Sequence, residues 1–239
     1  MLVTTVVTGC GGGTPLMHPA HPIARGDVLM GAGFSATKGA SAWTSVGKPS
    51  DRELVEAATV APGLAPWVAG RIGFGEGSEA GLTYTGRAVR IDGRRVWALS
   101  SALDLSLGVG ATGLLPQRQD ALQLRVGGEG ADVPVLLGWR SAGDIYSLWL
   151  GARAGGERLR GERELPSPPG TLEVQATEML SGWHSWAGGL VGLRIGFRHV
   201  FAVLEVDGAA HWVRIDLADR QVSVSSFAVA PAAALIAKF

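Results

Sequence analysis

Leu103-Asp104-Leu105-Ser106-Leu107-Gly108-Val109-Gly110-Ala111-Thr112 alternates apolar residues with small or polar ones, without a break, over ten positions. Successive side chains of a β-strand point to opposite faces. The stretch is therefore a strand with Leu103, Leu105, Leu107, Val109 and Ala111 on one face and Asp104, Ser106, Gly108, Gly110 and Thr112 on the other. One face belongs in an apolar solvent. The other tolerates water or very small neighbours.

The rest of the chain repeats this split. Of 239 residues, 46% are hydrophobic and 36 are glycine, and the mean hydropathy is +0.22, a composition that is apolar and turn-rich rather than disordered. No run approaches the roughly 20 apolar residues of a membrane-spanning helix; the longest candidate, Ala228 to Ala237, contains Pro231. Apolarity spread by alternation instead of gathered in runs is what a transmembrane barrel requires. The 21 basic and 21 acidic residues balance, so bulk charge points to neither nucleic acid nor an anionic surface as partner. A single cysteine, Cys10, precludes an internal disulfide.

Outward from the central strand, alternation predicts strands at Val28 to Ser35, Trp67 to Gly75, Glu79 to Arg90, Asp132 to Arg140, Ile145 to Arg153, around Trp183 to Ile195, His199 to Val206, and Phe227 to Phe239. Gly75-Glu76-Gly77-Ser78 and Ser141-Ala142-Gly143-Asp144 are turns. Asp92-Gly93 and Asp207-Gly208 carry the hairpin signal. Gly155 to Gly170 reads as a mobile solvent loop. The stretch from Thr37 to Pro66 is an insertion with one short helix, Ser50 to Thr59, in which Ser50 caps and Glu53 completes a capping box.

Three motifs invite chemistry. Gly108-x-Gly110-x-x-Gly113, with Asp132 about 20 residues on, matches the dinucleotide fingerprint. A parallel nucleotide-binding strand is buried on both faces and continuously apolar, whereas Asp104 and Ser106 interrupt this one, so the glycines are interior positions that must stay small. His18 and His21 between prolines fall short of a closed metal site, and residues 14–26 read as a solvated linker. His184 and Ser185 are adjacent base and nucleophile types, but neighbours on a strand face opposite ways. No catalysis, cofactor or metal is expected.

The polar face collects Arg71, Arg87, Asp104, Arg140, Arg153, Arg194 and Glu205 among glycines, as in a narrow lumen of paired charges. Arginine exceeds acid in this set, which would favour anions if the lumen were open. Tyr84, Trp139, Tyr146, Trp183 and Trp186 are candidates for aromatic girdles.

With Phe227, Val229, Ala233, Leu235, Ala237 and Phe239 on one face, the closing segment resembles the last strand of bacterial outer-membrane β-barrels. In that family the C-terminal aromatic, here Phe239, is read by the barrel-insertion machinery. The resemblance implies an all-β fold: a closed, antiparallel, up-and-down transmembrane barrel of eight to ten strands over residues 28–239, in contact with outer-membrane lipid. Val7-Thr8-Gly9-Cys10 resembles the lipobox of bacterial lipoproteins. That implies lipidation at Cys10, with residues 1–27 as a shortened signal and a flexible tether. The expected function is a small outer-membrane barrel with a structural or surface-binding role. The alternatives are a small anion-favouring pore and a soluble, lipocalin-like lipoprotein whose Leu103, Leu105 and Leu107 line a cavity.

Overall fold

The computed structural model describes residues 14–39, 62–119, 124–164, 177–217 and 220–239, together with Arg52, Val55, Glu56, Thr59 and Val60. Ten strands follow in order: β1 (Val28–Gly39), β2 (Gly63–Gly75), β3 (Ser78–Tyr84), β4 (Ala88–Ala98), β5 (Leu103–Gln119), β6 (Leu124–Arg140), β7 (Tyr146–Glu164), β8 (Thr177–Phe197), β9 (Val200–Asp216) and β10 (Gln221–Lys238). Each pairs antiparallel with its neighbour in sequence, and β1 also pairs with β10, closing an up-and-down barrel. The last residue completes the seam: Phe239 N donates to Val28 O at 2.9 Å, and Val28 N to Phe239 O at 3.1 Å. Cys10 and the lipobox-like segment lie outside the described residues.

The strands are steeply tilted. A row of paired residues that starts where Gly73 N donates to Asp27 O runs through Glu79, Arg94, Gly108, Pro134, Arg153, Gly188, Ala209 and Ala228, and meets β1 again at Gly39. The row has slipped by the whole length of the 12-residue β1, a stagger that goes with a tilt of about 40°.

The two rims differ. At one, the turn end, tight hairpins close β2–β3, β4–β5, β6–β7 and β8–β9; Glu76, Gly77, Gly143 and Arg198 take positive φ there, and Asp27 and Phe239 sit beside them. At the other, the loop end, β1 and β2 are separated by a long stretch of sequence, as are β7 and β8. β5 to β10 run 17 to 21 residues and β1 to β4 only 7 to 13, so one side of the wall stands higher.

Several expectations are corrected by the pairing. Asp92-Gly93 lies in the middle of β4, and Asp207-Gly208 in the middle of β9, because ladder partners on both sides outweigh a local turn signal. Glu79 to Arg90 is two strands, broken at Gly86 (φ 72°). Residues from Gly155 to Glu164 extend β7 and pair with β8 instead of forming a loop. Within the expected Ser50 to Thr59 helix, Arg52, Val55, Glu56 and Thr59 are helical, and Val60 N donates to Glu56 O at 2.9 Å; Ser50 and Glu53 lie outside the described residues.

The faces sort as the central strand implied. Asp104, Ser106 and Thr112 are buried inside, and Leu107 and Val109 are exposed outside, so Leu103, Leu105 and Leu107, which share that outward face, do not line a cavity; Leu114, of inward parity, packs inside. Met30, Phe34, Val68, Ile91, Val135, Leu148, Leu150, Val191, Leu204 and Leu235 all point outward and are exposed. The outer surface is thus an apolar belt. Above it, on the tall part of the wall, polarity reverses: Arg125, Glu129, Arg158, Arg160, Arg214 and Asp216 face out, while Leu124, Leu159, Leu180, Val213, Ile215 and Val224 pack inside with Val55 of the helical segment.

Candidate functional site

The lumen has an ionic wall, an apolar wall and a plug between them. β2 to β7 build the ionic wall. Arg71, Gly81, Asp92, Gly110 and Asp132 stand in one register row, and the two glycines leave the room the guanidinium groups occupy. A Cβ on Gly81 would meet Arg71 Nη2 at 2.7 Å, and one on Gly110 would meet Arg90 Nη2 at 2.4 Å.

Into that space Arg90 donates to Asp132 from Nε at 2.9 Å and Nη2 at 3.0 Å, and from Nη1 to Asp92 at 2.5 Å. Arg153 Nε reaches Asp132 at 2.8 Å. Arg71 Nη2 donates to both oxygens of Asp92, and Arg94 Nε to Glu79 at 2.7 Å. All seven of these side chains are buried. Charges removed from water need partners of this kind.

The plug is residues 14–27, expected as a solvated linker and tether. Leu16, Met17, His18, Ala20, His21 and Ile23 are instead buried in the lumen. Two lumen carboxylates hold its backbone: Glu205 of β9 accepts Leu16 N at 2.7 Å and Met17 N at 3.0 Å, and Glu79, which also accepts Arg94, takes Ile23 N at 2.7 Å through its other oxygen. Arginines hold its carbonyls, Arg94 donating to Pro19 O at 2.6 Å and His21 O at 3.1 Å, and Arg153 to Thr14 O. His21 Nδ1 meets Asp104 at 2.5 Å. Arg94 Nη1 also contacts His18 Nδ1 at 2.7 Å; a guanidinium only donates, so this nitrogen accepts and the imidazole is neutral. An extended segment without ladder partners must satisfy its amides somewhere, and the polar wall supplies the groups.

Apolar residues of the plug pack on Leu190, Val203 and Ile236 of the other strands and on Trp67, Leu136 and Trp149, which β2, β6 and β7 contribute to the same apolar side of the lumen. The expected lumen of charges and little else is therefore only half of the lumen. Trp149 Nε1 donates to Glu205 at 3.1 Å. A Cβ on Gly192 would lie 2.0 Å from the Trp149 ring, and one on Gly138 2.7 Å from Ala20 of the plug.

Toward the loop end the lumen keeps a cavity of about 70 Å³, lined by Arg87, Glu157, His184, Trp186, Asp207 and His211 among others. His184 bridges Glu157, at 2.9 Å from Nδ1, and His211, at 2.9 Å from Nε2. Ser185 is on the exposed outer surface, so the two adjacent residues do not meet. Among the described residues no three metal-ligating side chains converge.

The structure brings Arg71, Asp104, Arg153, Arg194 and Glu205 into the buried lumen. Arg194 is held by Asp144 at 2.5 Å from the turn end. Arg87 comes from the β3–β4 turn and donates to Thr59 O at 2.5 Å. Arg140 stands at the rim, half-buried and 4.0 Å from Asp104. Tyr84, Trp139, Tyr146 and Trp183 face outward, with Trp139 and Tyr146 in ring contact at 5.6 Å. Trp186 does not: it is on the inner face under the Arg153 guanidinium, 4.7 Å from its ring centre, because inward parity in β8 falls on even numbers.

Glu79, Arg90, Asp92 and Arg94 were the residues that sequence reasoning missed. They bring two cations and two acids, so the arginine excess of the expected set is offset instead by Asp132, Glu157 and Asp144, each held by a lumen arginine or histidine. Even-numbered parity carried through Asp92 would have found three of the four.

Fold and site together define a closed ten-stranded antiparallel barrel with an apolar belt outside and a self-plugged lumen. No protein family and no curated protein matches the chain. Solved structures that resemble it include Ail, the attachment invasion locus protein of Yersinia pestis, in complex with the heparin analogue sucrose octasulfate (10% identity, 90% of this chain and 99% of that chain covered, TM-score 0.30). Others are Neisserial surface protein A (9%, 89% and 96%, TM-score 0.36) and the monoaromatic hydrocarbon channel CymD (8%, 91% and 89%, TM-score 0.32). Similarity this distant transfers no function, which rests on the chain's own faces.

Proposed function

We propose that the chain is a small bacterial outer-membrane β-barrel, sealed by its own N-terminal segment, with a structural or surface-binding role and no catalysis. The observation that carries this reading is the outer surface. Large apolar side chains point outward from all ten strands, an arrangement costly in water and matched to hydrocarbon. Ion pairs, apolar side chains and the plug fill the interior, and closure leaves no backbone edge to be satisfied by solvent. Short hairpins and both ends of the barrel at one rim fit the periplasmic side, and the tall, polar-faced wall fits the exterior.

The pore alternative is disfavoured by the occupied axis, since every buried arginine of the ionic wall already has a carboxylate and residues 14–27 run between the walls. The lipocalin-like alternative requires Leu103, Leu105 and Leu107 inside. Lipidation at Cys10, with three residues between it and Thr14, belongs to the same proposal and would tether the plug segment to a membrane leaflet.

The test is fractionation followed by electrophoresis with and without boiling, then planar-bilayer recording. Extraction only by detergent, a heat-dependent shift in mobility and a silent bilayer are expected. A protein released without detergent that migrates identically in both lanes would sink the proposal.

A further inference from the structure

On the outer face of the tall wall, Arg158 of β7 pairs in register with Trp183 of β8, and Trp183 with Arg214 of β9. All three side chains are exposed, the indole to 64%. Neighbouring strands are about 4.8 Å apart, so the two arginines flank the indole at Cα positions about 10 Å from each other. Neither has an ion-pair partner among the described residues; Glu129, the register partner of Arg158 on β6, pairs instead with Arg160 at 3.5 Å, and Asp216, two positions beyond Arg214, accepts from the neutral Gln221 amide at 2.6 Å.

Their height also matters. Rows climb around a tilted barrel, and correcting for that climb places Trp183 close to the level of Trp212 and Phe227, the exposed aromatics at the upper edge of the apolar belt. Below Trp183, β8 presents Ala187, Gly189 and Val191 outward. Two arginines outside any ion pair among the described residues and an exposed aromatic face thus sit where acyl chains end and headgroups begin.

We infer that Arg158, Trp183 and Arg214 form a docking site for the phosphorylated sugar headgroup of a glycolipid in the outer leaflet. The inference rests on the outer-membrane reading above. Guanidinium groups bind phosphate oxygens in pairs, and an indole face covers the apolar side of a sugar ring. A single phospholipid phosphate would use one arginine and leave the indole and the second arginine without a role. A headgroup with two phosphates on a sugar scaffold uses all three.

The full-length protein is reconstituted in phosphatidylcholine vesicles containing no additive, lipopolysaccharide, dephosphorylated lipopolysaccharide or phosphatidylglycerol. The temperature at which the unboiled band is lost is then followed against lipid content. Lipopolysaccharide is expected to raise it for the wild type, and neither of the other additives to do so to the same extent.

R158Q/R214Q should weaken the apparent affinity about tenfold or more, R158K/R214K less, and R95Q, an exposed arginine at the turn end, not at all. Equal stabilisation of R158Q/R214Q and wild type, or an equal effect of phosphatidylglycerol, overturns the inference while leaving the barrel standing. Failure of the wild type to enter any vesicle overturns the membrane reading itself.

Discussion

Arg90 and Asp132, 42 positions apart in sequence, meet over Gly110 of the intervening strand as a two-point pair on one wall of the lumen, and Asp132 accepts Arg153 as well. One carboxylate therefore neutralises two strands at once. Asp132→Ala leaves two buried guanidinium groups short of a partner, and removing one member of such a pair costs about 3–5 kcal/mol. The urea midpoint of the heat-shiftable band should fall accordingly. A midpoint within error of the wild type would mean that water reaches this layer.

Glu205 holds the plug through Leu16 N, Met17 N and Trp149 Nε1 together. Glu205→Ala strands these three donors, at about 1–3 kcal/mol for each group left unsatisfied. Amide exchange at Leu16 and Met17 should accelerate, and the variant should show channel openings in a planar bilayer that the wild type lacks. A variant as silent and as protected as the parent would show that the apolar wall alone retains the segment.

Gly192 and Gly113 are both strand glycines with opposite surroundings. A Cβ on Gly192 runs into the Trp149 ring, and one on Gly113 meets nothing within 4 Å. Gly192→Ala should destabilise by about 1–3 kcal/mol through displaced packing, and Gly113→Ala should be neutral or slightly stabilising. Equal effects on thermal denaturation would contradict the inward placement of Trp149.

Leu204 lies on the outer face of β9 and is exposed, whereas Ser181 lies outward on β8 above the apolar belt. Leu204→Arg should cost about 2–4 kcal/mol in a bilayer, and Ser181→Arg at most about 1 kcal/mol, because the penalty depends on depth. Refolding yields into vesicles report both. If Leu204→Arg refolds as well as the parent, the belt does not face hydrocarbon.

Much of the candidate site was legible, and the limits are physical. Asp104, Arg153 and Glu205 could be assigned to the interior because parity inside a long strand is rigid. Asp92 could not, since Asp-Gly is a turn signal wherever ladder partners are unknown, and with it went Arg90 and Arg94. Trp186 departs from the expected girdle for a plain geometric reason: three positions from the outward Trp183 on one strand, it cannot share that face. Nothing local marks His18 or Ile23 as buried, because their partners Arg94 and Glu79 come from strands more than 50 residues away in sequence.

The sequence by itself determined the strands and the division of each into a greasy and a polar face, because a period of two is a local property of the chain and every strand states it separately. Tertiary structure alone decided that the sheet closes with the greasy face outward, that the lumen is shut, that its arginines are paired, and that the segment before β1 is the stopper. These depend on which distant side chains the tilt and stagger of the strands bring to one level, and no local pattern encodes that meeting.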